Sequence, residues 1–203
     1  MSTVAAKRGS HATPAKKTTF GRMPAVEKST VVALSPPGGV RERKFAITKS
    51  KGIWASLIAQ RDVGYYVLYD MQAVDRAGLV KSGVPSRFVG SISTDMGVTK
   101  DRFVKITGLS KATINRKIAN KTDLSVDESE RLVGLGKLIG QVESIVKESG
   151  SLEGFKAAKW FGDWIVQPAP ALGGRKPEEF LDTSDGREAV SKLLAQIQSG
   201  AYA

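Results

Sequence analysis

The sequence contains no cysteine and a single histidine, His11. Disulfide bonds, thiolate nucleophiles and cysteine-ligated zinc are therefore excluded. Because His11 lies in a stretch too polar to fold, a Ser-His-Asp triad, a Cys-His pair and a multi-histidine metal site are excluded as well. An enzyme would have to use scattered carboxylates such as Asp163, Glu178, Glu179 and Asp182, which we expect to be solvated or to cap helices. We therefore predict a protein without catalytic residues, metal ligands or a cofactor.

The sequence also lacks a long apolar run. No segment approaches the roughly 18 residues needed to cross a bilayer, and the N-terminus has no apolar core of the kind found in secretory signals. The start of the chain, which has no acidic residue before Glu27, resembles an organelle transit peptide, but arginine is sparse there. We expect a soluble protein of the cytosol that does not bind a membrane.

The net charge of +11 is concentrated in residues 1–51, which carry 11 basic and 2 acidic groups, or +9. Residues 52–203 carry the other 20 basic and 18 acidic groups, or +2. The first segment is rich in Ala, Ser, Thr, Pro and Gly and has no amphipathic period, so we predict that it is a disordered basic tail. Two roles stay open for it: a solubilising tail, or weak non-specific attraction to DNA through counterion release.

From residue 52 onward the apolar spacing is helical nearly throughout, which predicts an all-α protein. Strand-like patterns are confined to the short segments 29–34 and 44–48. The first predicted helices are residues 52–60, residues 62–78 with an end at Gly78, and residues 85–97, which start at Pro85 and stop at Gly97.

Three further helices follow. Ser125 and Glu128 form a capping-box pattern that opens a long helix ending at Gly150. Its predicted buried side carries Leu132, Leu135, Ile139, Val142, Ile145 and Val146. The next helix pairs Phe161 with Ile165 and Trp160 with Trp164, each pair four residues apart. The last helix places Val190, Leu193, Leu194 and Ile197 on a single stripe.

The segment TKDRFVKITGLSKATINRKIANK, residues 99–121, predicts a helix-turn-helix. Its first helix carries Phe103, Val104 and Ile106 and ends at Gly108, which takes the tight turn. Leu109 follows as an apolar plug, and Ser110 caps a second short helix that turns Ile114 inward. A second helix in this arrangement offers its N-terminal residues to the major groove of DNA.

The outward face of that second helix is suited to nucleic acid. Asn115 and Arg116 carry side chains that fit adenine and guanine edges, whereas Lys111, Lys117, Lys121 and Arg102 suit phosphates. Lys117 stands where an apolar residue is usual, with Ile118 one place later, so this helix is rotated or shorter than usual. The alternative is a purely structural helix pair with a glycine turn.

The segment LGGRKP, residues 172–177, resembles a phosphate-binding loop only in composition. A nucleotide loop follows a strand and opens a helix, with Ser or Thr after its lysine, and none of these features is present. The glycines and prolines instead predict a hinge, with Pro177 as the first residue of a short helix.

Residues 157–203 resemble, over their whole length, the C-terminal toxin-binding domain of the Xre/MbcA/ParS antitoxins. The family pattern is a tryptophan helix running into a proline, then Leu-Gly-Gly, a second proline, a short Leu-rich turn ending in Thr, an apolar helix and a Gly-Tyr-Ala-like terminus. The matching residues are Trp164, Pro168, Leu172, Gly173, Gly174, Pro177, Leu181, Thr183, Gly186, Val190, Leu194, Ile197, Gly200 and Tyr202. The chain departs from the pattern at Ile165, Ala169 and Pro170. Upstream, Thr113, Arg116 and Lys117 stand where the family's recognition helix usually reads Thr-x-x-Arg-Arg, and the resemblance extends from about Leu79 to Ala203.

The resemblance implies a bacterial, cytoplasmic antitoxin that inhibits a RES-domain toxin, an ADP-ribosyltransferase-like enzyme that uses NAD. It also implies a homodimer that binds its own operator DNA through Lys111, Thr113, Asn115, Arg116 and Lys117. The expected toxin-binding residues are Leu172, Gly173, Gly174, Arg175, Gly200, Ala201, Tyr202 and Ala203. Of these, Tyr202 would be a rigid anchor, and the Ala203 carboxylate would compete for the donors that bind the pyrophosphate of NAD.

This interpretation divides the chain into a disordered extension at 1–51, an Xre-like helix-turn-helix domain for DNA binding and dimerisation at 52–150, and a toxin-binding domain at 151–203. The alternative is a stand-alone transcriptional regulator whose C-terminal domain serves only for dimerisation. A neighbouring gene for a RES-type protein would favour the antitoxin.

Overall fold

The computed structural model describes Trp54, residues 64–150 and residues 154–199. All regular elements within these residues are helices, apart from an isolated antiparallel bridge between Pro85 and Asp123, which confirms the all-α prediction. The α-helices are α1 (Tyr65–Asp70), α2 (Ala73–Lys81), α3 (Phe88–Asp95), α4 (Lys100–Ile106), α5 (Lys111–Ala119), α6 (Val126–Glu148), α7 (Ala157–Trp164) and α8 (Ser184–Ser199), and two short 3-10 helices span Pro170–Leu172 and Pro177–Phe180. Two predicted segments lie outside the described residues. They are the tail at 1–51, with its two strand-like segments, and the helix at 52–60, of which only Trp54 is described.

The single helix predicted over residues 62–78 is wrong, because the described part of this range holds two helices, α1 and α2. The chain leaves the helical conformation at Met71, whose ψ is 137°. The guanidinium of Arg76 donates hydrogen bonds to the carbonyls of Leu68 and Met71, which lie at the C-terminal end of α1. Arg76 therefore satisfies carbonyl groups that the break leaves without helical partners. Gly78 lies inside α2 and does not end it.

The long helix α6 is the centre of the molecule. Its capping box is present as predicted: Ser125 Oγ accepts from the Glu128 amide, and the Glu128 carboxylate accepts from the Ser125 amide at 2.7 Å. Helices α1, α2, α7 and α8 all contact α6. The predicted stripe is buried, namely Leu132, Leu135, Ile139, Val142, Ile145 and Val146. One apolar core consequently joins the N-terminal helices to the C-terminal ones.

Helix α7 packs closely against the end of α3. Gly162 faces the backbone of Met96, and a Cβ at this position would collide with the Met96 carbonyl oxygen. The predicted aromatic pair on the same helix is present, with the rings of Trp160 and Trp164 stacked at 5.7 Å between centroids. The close approach at Gly162 fixes where α7 lies against the end of α3, and with it the start of the loop that follows α7.

Candidate functional site

The helix-turn-helix predicted from residues 99–121 forms as expected. Helix α4 ends before Gly108, which takes a φ of 64°, a conformation that glycine adopts without strain. Leu109 is 9% exposed and Ile114 is fully buried, so both contribute to the core. The hydroxyl of Ser110 accepts the amide of Thr113 at the start of α5. The turn and the cap therefore set the direction of α5 relative to α4.

The outward face of α5 presents the predicted side chains. Lys111, Asn115 and Arg116 are exposed and Thr113 is half-buried. The Lys111 ammonium is paired with Asp101 at 2.6 Å, on the exposed surface. Within the part of the chain that the structure describes, the side chains of Asn115 and Arg116 form no hydrogen bond or ion pair. Both are therefore free to donate to an external group.

Lys117, which was also predicted to contact DNA, is partly buried in an ion pair. Its ammonium donates to the Glu128 carboxylate, and the two side chains are only 19% and 15% exposed. Burial alone would raise the pKa of Glu128, but the hydrogen bonds from Lys117 and the Ser125 amide hold that pKa below its ordinary value. The ion pair joins α5 to the first turn of α6, which explains how a lysine occupies a position that is usually apolar.

We expect Glu128→Gln to lower the free energy of unfolding by about 1 kcal/mol at pH 7. Glutamine preserves the capping box but removes the charge that pairs with Lys117. Because the pKa of Glu128 is depressed in the folded state, its contribution is complete above the unfolded pKa of about 4.3 and is lost as the pH falls through the folded pKa. Urea unfolding of both proteins at pH 7 and pH 3.5 measures this, and a difference independent of pH would contradict it.

The loop after α7 is a closed turn. The Ala169 amide donates to the Arg175 carbonyl at 2.9 Å, and the Gly174 amide donates to the Ala169 carbonyl at 3.0 Å. Gly173 and Gly174 have φ values of 68° and 79°, a conformation that favours glycine at both positions. The Gly173 and Arg175 amides also donate to carbonyls within the loop. These amides are occupied, so the loop does not offer the row of free donors that cradles a phosphate.

The side chains of this loop form a small mixed surface. Leu172 is half-buried, and Gly173, Gly174 and Arg175 are exposed. The Arg175 guanidinium lies 4.4 Å over the ring of Phe180, and its Nε donates to Glu179 at 3.0 Å. The Lys176 amide also donates to the Glu179 carboxylate. This hydrogen bond and, to a smaller extent, the one from Arg175 lower the pKa of the Glu179 carboxyl. We call Leu172, Gly173, Gly174 and Arg175 the loop surface.

Several arginines join this C-terminal region to the helix-turn-helix. Arg131 Nη1 lies within 3.3 Å of three carbonyl oxygens, those of Thr107, Gly108 and Asp182. Arg102 pairs with Glu178 at 2.7 Å. These contacts bridge the turn of the helix-turn-helix and the segment after the loop surface.

Arg187 makes a further bridge. It is 5% exposed and donates to the Leu181 carbonyl and to both carboxylate oxygens of Glu130. Sequence reasoning did not identify Arg131 or Arg187. The helical spacing could have predicted that Arg187 is buried. It precedes Val190 and Leu194 by three and seven residues and therefore lies on the same buried stripe of α8.

The four carboxylates considered as acid–base candidates do not form a cluster. Asp163 pairs with Lys159, Glu178 with Arg102 and Glu179 with Arg175, and Asp182 is exposed.

Across Trp54, 64–150 and 154–199, no helix is long and apolar enough to cross a membrane. The predicted toxin-binding residues Gly200, Ala201, Tyr202 and Ala203 lie outside the described residues, which include α8 as far as Ser199.

Comparison with known proteins identifies both regions. The family model of the antitoxin Xre-like helix-turn-helix domain matches residues 75–136, and that of the antitoxin Xre/MbcA/ParS C-terminal toxin-binding domain matches residues 153–200. A protein of Sphingobium sp. (strain YBL2) named "Prs ADP-ribosylating antitoxin" is 46% identical over 143 residues, which cover 68% of this chain and 87% of that protein. The chain belongs to the Xre/MbcA/ParS family of antitoxins.

More distant relatives agree with this assignment. An "Antitoxin Xre" of Yersinia enterocolitica is 23% identical over 155 residues, which cover 76% of this chain and 93% of that protein. An "Antitoxin Xre" of Photorhabdus laumondii is 25% identical over 122 residues, which cover 60% and 77%. The antitoxin is a binding protein and not an enzyme, and its C-terminal domain belongs to the toxin-binding domain family. The division at residues 51 and 150 stays a prediction.

Proposed function

We propose that this antitoxin inhibits a RES-domain toxin, an NAD-using, ADP-ribosyltransferase-like enzyme, and that it represses its own operon as a homodimer bound to operator DNA. The loop surface would hold the toxin, and residues 200–203 would occlude its active site. The observation that carries the proposal is the closed, glycine-dependent loop within a matched toxin-binding domain. The words "ADP-ribosylating" in the name of the Sphingobium relative support NAD as the substrate of the toxin.

The loop surface has the physical properties of a binding site. Leu172 is an apolar side chain that packs partly against the core and is only half-buried, and the loop residues before and after it are exposed. Interface energy concentrates where an apolar anchor becomes fully desolvated within a polar rim. The internal hydrogen bonds of the loop hold this geometry in the free antitoxin, so binding requires little further ordering.

The segment after α8 suits occlusion of an active site. Gly200 would free the chain from the helix, and Tyr202 provides a large aromatic contact with few rotatable bonds. Residues 200–203 follow α8 in the sequence. Helix α8 is anchored on α6 by hydrogen bonds between Gln141 of α6 and Ser191 of α8. We infer that α8 delivers residues 200–203 to the toxin.

Deleting residues 200–203 is expected to restore NAD consumption by the toxin while the complex persists, because the loop surface remains. The experiment combines co-purification of the tagged toxin with an assay of NAD consumption, using the full chain as the control. A truncated antitoxin that still inhibits the toxin completely would exclude occlusion by this segment.

The exposed face of α5 supports DNA binding. Asn115 and Arg116 would contact base edges, with Lys111 and Thr113 on phosphates and Lys117 fixing α5 against α6. Because residues 52–203 carry a net charge of only +2, a single copy makes few phosphate contacts, and a two-fold pair would double them.

We expect Arg116→Ala to weaken binding to operator DNA by about 1 to 3 kcal/mol without changing the fold. Lys192→Ala is the matched control, because it removes one exposed positive charge from α8. Fluorescence anisotropy with operator and random duplexes measures both. If Arg116→Ala binds the two duplexes as the unmodified antitoxin does, α5 is not the recognition helix.

A further inference from the structure

Three contacts within the free antitoxin orient the exposed Arg175 residue. Its backbone is held by the Ala169 amide, one face of its guanidinium lies on Phe180, and its Nε is bound to Glu179. Glu179 is itself fixed by the Lys176 amide at 2.9 Å. A free arginine loses rotamer entropy when it is immobilised, and these contacts restrict the Arg175 side chain before binding.

The remaining donors of Arg175 point to a ligand. The side chain is 58% exposed, and among the described residues Nη1 and Nη2 form no hydrogen bond. These two nitrogens form the edge of the guanidinium that matches a carboxylate with two parallel hydrogen bonds. Lys176 follows as a second exposed cation, and Leu172 lies on the same loop.

Two observations favour a carboxylate over a phosphate. The amides of Gly173, Gly174 and Arg175 are bound within the loop, so a tetrahedral anion finds no backbone donors for its other oxygens. Glu179 already neutralises one side of the guanidinium, which disfavours a doubly charged anion more than a singly charged one. The remaining edge therefore fits a planar, singly charged group.

We propose that Arg175 is a preformed receptor for an aspartate or glutamate side chain of the toxin, next to the contact proposed for Leu172. This rests on the proposed function of the loop surface and adds the chemistry of the partner. Phe180 and Glu179 are positioning residues, since they act by orienting the guanidinium. The complex then requires an acidic side chain at one place on the toxin.

The test is a set of dissociation constants for the complex with the RES toxin, measured by calorimetry on the full antitoxin. Arg175→Gln and Arg175→Lys are both expected to weaken binding about tenfold or more, because lysine keeps the charge but not the paired donors. Phe180→Leu should weaken it less. Lys192→Gln, which removes a distant exposed cation, should bind as the unmodified antitoxin does.

Acidic residues of the toxin are then changed to alanine one at a time in combination with Arg175→Gln. The proposal predicts one acidic residue whose loss has no further effect once Arg175 is gone. If Arg175→Gln and Arg175→Lys bind at full affinity while Leu172→Asp does not, the carboxylate receptor is wrong and the loop surface stands. If Arg175→Gln weakens only operator binding, Arg175 contacts DNA and the proposal is overturned. If the unmodified antitoxin does not bind the toxin, the proposed function itself is wrong.

Discussion

Replacing Leu172 by aspartate is expected to weaken the complex between the antitoxin and its toxin by about 100-fold or more. Leu172 is half-buried on a loop closed by its own hydrogen bonds, so it projects from a fixed position. In the complex, an aspartate carboxylate at this position would be transferred from water into an apolar contact without a partner. The dissociation constant of the complex measures the effect.

Leu172→Met is the matched control for this prediction. It keeps the volume and apolar character of the side chain, so the affinity should change by only a few-fold. Because Leu172 is not fully buried, both variants should fold, which urea unfolding of the free antitoxin verifies. A complex of Leu172→Asp at unchanged affinity would mean that residues 172–177 are only a hinge.

Gly162→Ala is expected to lower the free energy of unfolding by about 3 kcal/mol. The new Cβ would collide with the Met96 carbonyl oxygen, and a packed backbone atom cannot rotate away as a side-chain end can. Relief requires α7 to move from the end of α3, which disturbs the contacts of the buried Phe161 and Trp164.

Gly90→Ala provides the comparison, because Gly90 lies within α3 and no packed atom lies within 4 Å of the position its Cβ would take. It should raise the stability by about 0.5 to 1 kcal/mol through helix propensity alone. Chemical denaturation of both variants gives the two values. Equal stability of Gly162→Ala and the unmodified antitoxin would show that α7 is not seated against Met96.

The elements that sequence reasoning predicted correctly are those whose signals are local. The Ser125 cap, the turn at Gly108 and the buried stripe of α6 depend on residues a few positions apart, and the structure has all of them. The break between α1 and α2 was missed, since the apolar period continues through it. The break is accompanied by hydrogen bonds from Arg76 back to the carbonyls of Leu68 and Met71, which no local preference reveals.

Contacts between distant segments were beyond the same reasoning. Arg131 lies 51 residues from Asp182, and Arg187 lies 57 residues from Glu130. The unusual Lys117 is explained only when α5 and the first turn of α6 are seen together, because its partner Glu128 also forms the capping box. The turn at Gly173 and Gly174, in contrast, was predicted from these two glycines, and the structure adds the orientation of Arg175. The role of the loop surface in toxin binding was implied by the resemblance and stays a prediction.

The central claim is that the antitoxin inhibits an NAD-using RES toxin by binding it. The most direct measurement is the rate of NAD consumption by the purified toxin, titrated with the intact antitoxin. The proposed function predicts that the rate falls to background at a fixed molar ratio and that Leu172→Asp requires a large excess to do the same. A toxin that consumes NAD at its full rate in the presence of saturating antitoxin would contradict it.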